Sequence, residues 1–109
     1  RNVQLRLRHG GQEQLLEQAN TGIILGRDPS CQIVVADRMA SRQHARIERR
    51  RDKFFLIDQS TNGTFVAVEG ETEISLRREE VMLRGSGKIA FGHSVGETTD
   101  EVVEFTVLG

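Results

Sequence analysis

The stretch Val3-Gln4-Leu5-Arg6-Leu7-Arg8 decides the fold class, because apolar and polar side chains alternate along it residue by residue. A period of two is typical of a β-strand that buries one face and exposes the other. The same alternation recurs at four further places, at residues 45–47, 81–83, 89–91 and 103–107. The sequence therefore predicts a chain built from strands.

Shorter apolar runs lie at residues 23–25, 33–35 and 54–57, and they indicate strands covered on both faces. Residues 13–19 and 76–83 contain some helix formers but fall short of a helix, so we interpret both as strands. Turn signals separate these segments, at His9-Gly10-Gly11, Asp28-Pro29-Ser30, Arg50-Arg51-Asp52, Asn62-Gly63 and residues 85–87 and 92–96. Many short strands at close spacing predict an all-β fold, an antiparallel sandwich or barrel.

The composition limits what this fold can do. A chain of 109 residues fits one domain, which we expect to span residues 1–109. The net charge of −1 gives no global basic field that would attract nucleic acid or an acidic membrane surface. The single cysteine, Cys31, excludes an intrachain disulfide and fits a reducing compartment, so we expect a cytoplasmic protein. No apolar run approaches the roughly 18 residues of a membrane span. The chain begins at Arg1 without a methionine, which indicates a domain excised from a longer protein.

Three short segments carry the polar residues that could bind a ligand: Gly26-Arg27, Ser41-Arg42-Gln43-His44 and Ser60-Thr61-Asn62-Gly63-Thr64. Each segment alone is common, and Asn-Gly most often marks a tight hairpin. Here about six residues separate the flanking apolar runs, more than the two that Asn-Gly usually serves. This loop therefore has room to present side chains.

In this order and spacing, the three segments resemble the motif of the forkhead-associated (FHA) family. The late stretch Gly87-x-Ile89-x-Phe91-Gly92 also lies where that family has it. The resemblance implies a β-sandwich of about eleven strands whose loops at one end bind phosphothreonine in a protein or peptide partner. Residues 40–48, together with residues 54–64 further along the chain, look most like the corresponding stretches of bacterial FHA domains fused to adenylate or guanylate cyclases. We therefore expect a role in bacterial signalling.

The resemblance also assigns roles to single residues. It implies that phosphothreonine is bound by Arg27, Ser41, Arg42, Thr61 and Asn62, and that Gly26, His44 and Gly63 support the site. These side chains suit a phosphate of about −1.5 to −2 charge with three acceptor oxygens. Arginine offers a planar fork of permanently charged donors, and hydroxyl groups add donors without further charge.

Two other functions compete with phosphothreonine binding. Ser41, His44 and Asp58 could be drawn as a catalytic triad, but nothing resembles a nucleophile elbow, so we predict that the chain is not an enzyme. A phosphate-independent scaffold, regulating a fused enzyme such as a nucleotide cyclase, stays open. His9, His93 and Cys31 lack metal-ligand spacing, so neither metal nor cofactor is expected.

The charged runs are interpreted as solvated surface. They are Arg49-Arg50-Arg51 at a hairpin tip, Glu79-Glu80 and residues 97–104. Neither nucleic acid nor membrane is expected as a partner, and the isolated domain is expected to be a monomer.

Overall fold

The computed structural model describes residues 2–17, 22–97 and 101–109. These residues form eleven strands: β1 (Gln4–His9), β2 (Gln12–Leu16), β3 (Gly22–Gly26), β4 (Ile33–Val34), β5 (Ala45–Arg50), β6 (Lys53–Asp58), β7 (Thr64–Val68), β8 (Ile74–Leu76), β9 (Glu80–Leu83), β10 (Ser86–Phe91) and β11 (Val103–Leu108). Within these ranges, no helix is long and apolar enough to cross a membrane.

The strands form two sheets, one of six strands in the order β2-β1-β11-β10-β7-β8 and one of five in the order β4-β3-β5-β6-β9. Neighbouring strands are antiparallel throughout, except that β3 and β4 pair in parallel. The predicted all-β sandwich of about eleven strands is confirmed.

The core lies between the sheets and is filled by alternate residues of each strand. Leu5 and Leu7 of β1 face Ile47 and Leu56 of the other sheet's strands β5 and β6 as members of one buried cluster. Each is at most 1% exposed, and a side chain buried so completely stabilises the fold by about 1.5–3 kcal/mol. The apolar residues that recur with a period of two in the sequence are thus the ones on the inward face of each strand.

Several local expectations are corrected. The apolar runs are not covered on both faces, because Ile24, Phe55 and Ile57 are half-buried on the outer side and Val34 is 42% exposed. A sandwich covers only the inner face of each sheet. Residues 76–83 are not one strand, since a turn with Arg78 at φ 57° separates β8 from β9.

Other boundaries also differ from the expectations. Strand β7 follows the Asn-Gly loop directly, so the apolar run after that loop is a strand that begins at Thr64. In the turn signal at residues 85–87, Ser86 and Gly87 already belong to β10. The strand predicted at residues 13–19 is β2 in part, and its residues 18 and 19 lie outside the described residues.

The charged runs lie largely at the surface, as predicted, but several of their side chains form ion pairs or hydrogen bonds. Arg50 pairs with Glu48 and with Glu80, at 2.9 and 2.7 Å, and lies over the ring of Phe55. Glu101 is half-buried. Its carboxylate accepts a hydrogen bond from the Ala36 N–H and also contacts the ring of His9. Residues 98–100 of the predicted acidic surface lie outside the described residues.

The register of the strands brings four connections to one end of the sandwich. Leu25 near the end of β3 lies opposite Ala45 at the start of β5, which lies opposite Asp58 at the end of β6. In the other sheet, Thr64 at the start of β7 lies opposite Phe91 at the end of β10. The segments after β3, before β5, between β6 and β7 and after β10 therefore meet at this end. Together with Gly26, the last residue of β3, they contain every residue of the predicted site.

Candidate functional site

Gly26 and Arg27 lie at the end of β3, side by side with the Ser41-Arg42 segment. A Cβ on Gly26 would lie 2.2 Å from the Arg42 carbonyl oxygen, so only glycine fits the close approach. Two backbone hydrogen bonds of 3.0 Å join the segments, from the Arg27 N–H to the Ser41 carbonyl and from the Asp28 N–H to the Arg42 carbonyl. Arg27 and Ser41 are thereby held beside each other.

The Arg27 side chain is exposed, but its orientation is fixed. Its Nε–H donates to the Ala40 carbonyl oxygen at 2.9 Å. Neither of its terminal amino groups has an acceptor among the described residues, and no carboxylate in that set pairs with it. Arg27 therefore presents an anchored cation whose outer donors are available to a ligand.

His44 lies beneath this surface, fully buried, and links two of the loops. Its Nδ1 accepts the Ser41 N–H at 2.9 Å, and its Nε2 lies 2.8 Å from the Gly63 carbonyl oxygen. Because a backbone N–H can only donate, Nδ1 carries no proton and the ring proton is on Nε2, from which it donates to Gly63. Burial lowers the pKa of His44 and outweighs the opposing effects of the Gly63 carbonyl and of Asp58, so the ring is neutral.

The hydroxyl of Ser41 is oriented by the next loop. Its Oγ accepts the Thr61 N–H at 3.1 Å, which leaves the hydroxyl proton free to donate outward. The Thr61 side chain is exposed, and its own hydroxyl has no partner among the described residues. The Asn62 Nδ2 donates to the Met39 carbonyl at 3.1 Å, so its side-chain oxygen remains an available acceptor.

Below the Asn-Gly loop lies a buried carboxylate network that holds the loop closed. Asp58 Oδ1 accepts from the Ser60 and Thr64 hydroxyls, each at 2.6 Å, and Oδ2 accepts the Arg78 N–H at 2.8 Å. Burial raises the pKa of Asp58, but these hydrogen bonds outweigh it and hold the pKa below its usual value. The Ser60 hydroxyl in turn accepts the Gly63 N–H at 2.8 Å.

Gly63 occupies the left-handed region, at φ 92°, where a side chain would be strained. Its carbonyl oxygen accepts two hydrogen bonds, from the His44 Nε2–H and from the Gly92 N–H at 2.9 Å. Three separate segments of the chain therefore meet at this one oxygen. The result is a ring of loops that presents the Arg27 guanidinium, the Ser41 and Thr61 hydroxyl groups and the Asn62 amide around a rigid base.

Comparison with protein-family models assigns residues 23–92, well over half of the chain, to the FHA domain. The chain is an FHA domain. The FHA resemblance drawn from the three short segments is confirmed. No functionally curated protein matches the sequence.

Solved structures agree with this assignment. The chain is similar to FHA-1 of Rv1747 from Mycobacterium tuberculosis, with 21% identity over 98% of each chain and a TM-score of 0.71. It is also similar to the FhaA FHA domain, solved in complex with the intracellular domain of Rv3910, with 27% identity over 97% of this chain and 99% of that one, and a TM-score of 0.63. A third similar FHA structure comes from an analysis of phosphothreonine-dependent interactions, with 27% identity over 100% and 97% of the two chains and a TM-score of 0.64.

FHA domains are binding modules without catalytic activity, in agreement with the prediction that this chain is not an enzyme. The contacts of Ser41 show why a triad does not form. His44 Nδ1 accepts the Ser41 backbone N–H rather than its hydroxyl, and Nε2 is bonded to Gly63, at 3.9 Å from Asp58. His44 therefore cannot act as a general base for the Ser41 hydroxyl. Within the described ranges, no group of acidic, histidine or cysteine side chains could hold a metal ion.

Arg42 lies at the rim of the FHA site rather than at its centre. Its side chain is 76% exposed, and its Nη2 lies 3.3 Å from Asp28 Oδ1. Hydrogen bonds from Ser30 and then from Arg42 lower the pKa of Asp28, so this carboxylate is charged. A ligand that draws on the Arg42 guanidinium has to share it with Asp28.

Sequence reasoning assigned no role to the groups that hold the loops in place. These are the Asp58 carboxylate with Ser60 and Thr64, the Arg78 backbone, and the carbonyl groups of Met39 and Ala40 that orient Asn62 and Arg27. The Asp58-x-Ser60 spacing was a usable signal, since aspartate and serine two residues apart commonly form a turn. The carbonyl groups leave no trace in the sequence, because every residue has one.

Proposed function

We propose that this FHA domain binds phosphothreonine in a protein or peptide partner through the loops at one end of the sandwich. The observation that carries the proposal is the anchored Arg27 guanidinium, with free terminal donors, held beside a Ser41 hydroxyl whose proton is also free. Two of the similar structures, by their descriptions, concern an FHA domain bound to a protein and phosphothreonine-dependent interactions.

The phosphate oxygens would accept from Arg27, Ser41 and Thr61, with Arg42 contributing from the rim. Each hydrogen bond to a charged group contributes about 1.5–3 kcal/mol, so two or three of them discriminate strongly against unmodified threonine. Asn62 would hold the backbone of the peptide beside the phosphoresidue, because its carboxamide oxygen is available as an acceptor. Gly26, His44 and Gly63 act through the geometry of the loops.

The proposal predicts the effect of Arg27→Ala, measured by isothermal titration calorimetry with a degenerate phosphothreonine peptide pool and its unphosphorylated counterpart. We expect Arg27→Ala to abolish binding without changing the circular dichroism spectrum. Ser41→Ala should weaken binding by about tenfold or more, because one charge-assisted hydrogen bond is lost. The matched control is Arg84→Ala, which removes an exposed arginine paired with Glu71 at the other end of the sandwich.

Unchanged binding by Arg27→Ala would show that the site is assigned wrongly. Equal affinity of the parent domain for the two peptide pools would instead favour the phosphate-independent scaffold.

We further propose that the domain spans residues 1–109 as one unit and regulates a fused nucleotide cyclase in the bacterial cytoplasm. The likeness of residues 40–48 and 54–64 to such domains supports this proposal. In a protein that carries both parts, a phosphothreonine peptide should change the cyclase rate, and Arg27→Ala should abolish that response. A cyclase rate that ignores the peptide would contradict it.

A further inference from the structure

A short turn at residues 37–40 supports two residues of the proposed site from below. The carbonyl oxygen of Met39 accepts from Asn62, and the carbonyl oxygen of Ala40 accepts from the Arg27 guanidinium. The positions of both side chains therefore depend on where this turn lies.

Asp37 sets the shape of the turn and ties it to a different loop. Its backbone carbonyl accepts the Ala40 N–H at 3.0 Å, and its Oδ1 accepts the Met39 N–H at 2.8 Å. Its second carboxylate oxygen, Oδ2, contacts Nε2 of His93 in the connection after β10. The Asp37 carboxylate therefore holds the turn together and also connects it to the segment after β10.

Both ring nitrogens of His93 face oxygen acceptors. Nε2 meets the Asp37 carboxylate, and Nδ1 lies 2.9 Å from the Ser94 carbonyl oxygen. A neutral imidazole has only one N–H, so it would leave one of these contacts without a proton. With side-chain exposures of 9% for His93 and 11% for Asp37, water has little access to either group. The geometry therefore fits the imidazolium form, in contrast to neutral His44.

The backbone that carries His93 is held on both sides. The Gly92 N–H donates to Gly63, and Glu73 accepts from the Ser94 hydroxyl at 2.9 Å and from the Val95 N–H at 2.8 Å. A Cβ on Gly92 would lie 2.6 Å from the Met39 carbonyl oxygen, so this segment packs directly on the turn. A change at His93 is therefore passed to the turn rather than absorbed by a loose loop.

The charges around His93 favour its protonated form. Among the described residues, the titratable and charged groups of the packed elements are Asp37 and Arg38 of the turn, His44 beneath it, Glu73 before β8, and Glu97 after β10. Burial lowers the pKa of His93, but the Ser94 carbonyl, Asp37 and Glu97 outweigh it and raise the pKa above its usual value.

We propose that Asp37 and His93 are positioning residues for phosphothreonine binding. Their carboxylate–imidazolium pair fixes the turn that holds Arg27 and Asn62, so loss of the His93 proton weakens binding. This inference rests on the proposed function and adds a pH response to it.

The test is the affinity for a phosphothreonine peptide, measured by calorimetry from pH 6.5 to pH 9. The phosphate has its second pKa near 6 and is mostly dianionic throughout this range, so its own titration contributes little. We expect the affinity to fall about threefold to tenfold as the pH rises. His93→Gln should bind at the weaker level and lack the fall. Asp37→Asn should move the fall to lower pH, because the positive ring loses its counter-charge.

His9→Gln is the matched control, because His9 pairs with Glu101 instead of with the turn, and it should retain the whole fall. A flat profile for the parent domain, or the same slope in His93→Gln, would overturn the inference while leaving phosphopeptide binding intact. Absence of binding at every pH would instead refute the proposed function.

Nuclear magnetic resonance tests the inference without any peptide. The ¹⁵N signals of His93 should report protons on both ring nitrogens at pH 6.5. The Arg27 Nε–H and Asn62 amide signals should shift together with the titration of His93 and lose that shift in His93→Gln. If the Arg27 and Asn62 signals do not shift as His93 titrates, the proposal is wrong.

Discussion

Removal of the Asp58 carboxylate perturbs the loops of this FHA domain at a point where several of their hydrogen bonds meet. In Asp58→Ala the hydroxyl groups of Ser60 and Thr64 and the Arg78 N–H lose their acceptor at once. The Ser60 and Thr64 side chains are themselves buried, so bulk water reaches their hydroxyl groups poorly.

The size of the effect follows from those contacts. A buried polar group left without a partner costs about 1–3 kcal/mol, and three donors are affected. The costs are not additive, because Ser60 and Thr64 share one oxygen and can rotate towards each other. We therefore expect Asp58→Ala to lower the free energy of unfolding by about 3–5 kcal/mol, a large part of the roughly 5–15 kcal/mol of a typical domain.

The assay is urea unfolding at pH 7, followed by far-ultraviolet circular dichroism because the chain has neither tryptophan nor tyrosine. Asp58→Asn, which keeps one oxygen acceptor, should lose less than Asp58→Ala. Asp52→Ala, at an exposed turn with Lys53 3.9 Å away, should change the free energy by less than about 0.5 kcal/mol. A loss below about 1 kcal/mol in Asp58→Ala would refute the reasoning.

Two further predictions concern Gly26 and His44. Gly26→Ala should abolish phosphopeptide binding and lower the melting temperature in calorimetry, because its Cβ would collide with the Arg42 carbonyl; normal binding would contradict the close approach. For His44 the folded pKa lies below the unfolded value of about 6.5, so its stabilising effect is complete above that pH and is lost as the pH falls. Urea unfolding at pH 7 and pH 5 should show this loss in the free energy of unfolding, and His44→Gln should lack it. If the free energy falls by the same amount in both proteins, His44 is not the group responsible.

The strand framework was predictable because burial of one face leaves a period of two in the sequence. Leu5, Leu7, Phe105 and Val103 all follow that period, and all are buried. Strand β7 begins one residue before its apolar run, because Thr64 is polar yet fully buried and paired with Asp58. A polar residue that is satisfied inside the core interrupts the hydrophobic pattern from which strands are recognised.

The candidate site was predictable from the sequence only in its side chains. Arg27, Ser41, Thr61 and Asn62 are identifiable as residue types that suit a phosphate. Their orientation depends on backbone groups such as the Ala40 carbonyl, which any residue could supply. The protonation states of His44 and His93 were equally out of reach, since they depend on whether a donor or an acceptor faces each ring nitrogen.

The hydrogen bonds of the Gly63 carbonyl oxygen also determine when the loops can form during synthesis of the chain. Its two donors, His44 and Gly92, lie far apart in the chain, and the second is the residue that follows β10. During synthesis the recognition loops cannot reach their final arrangement until Gly92 has left the ribosome and β10 has paired with β7. An incomplete chain therefore carries Arg27 and Ser41 before the Gly63 carbonyl oxygen has both of its donors.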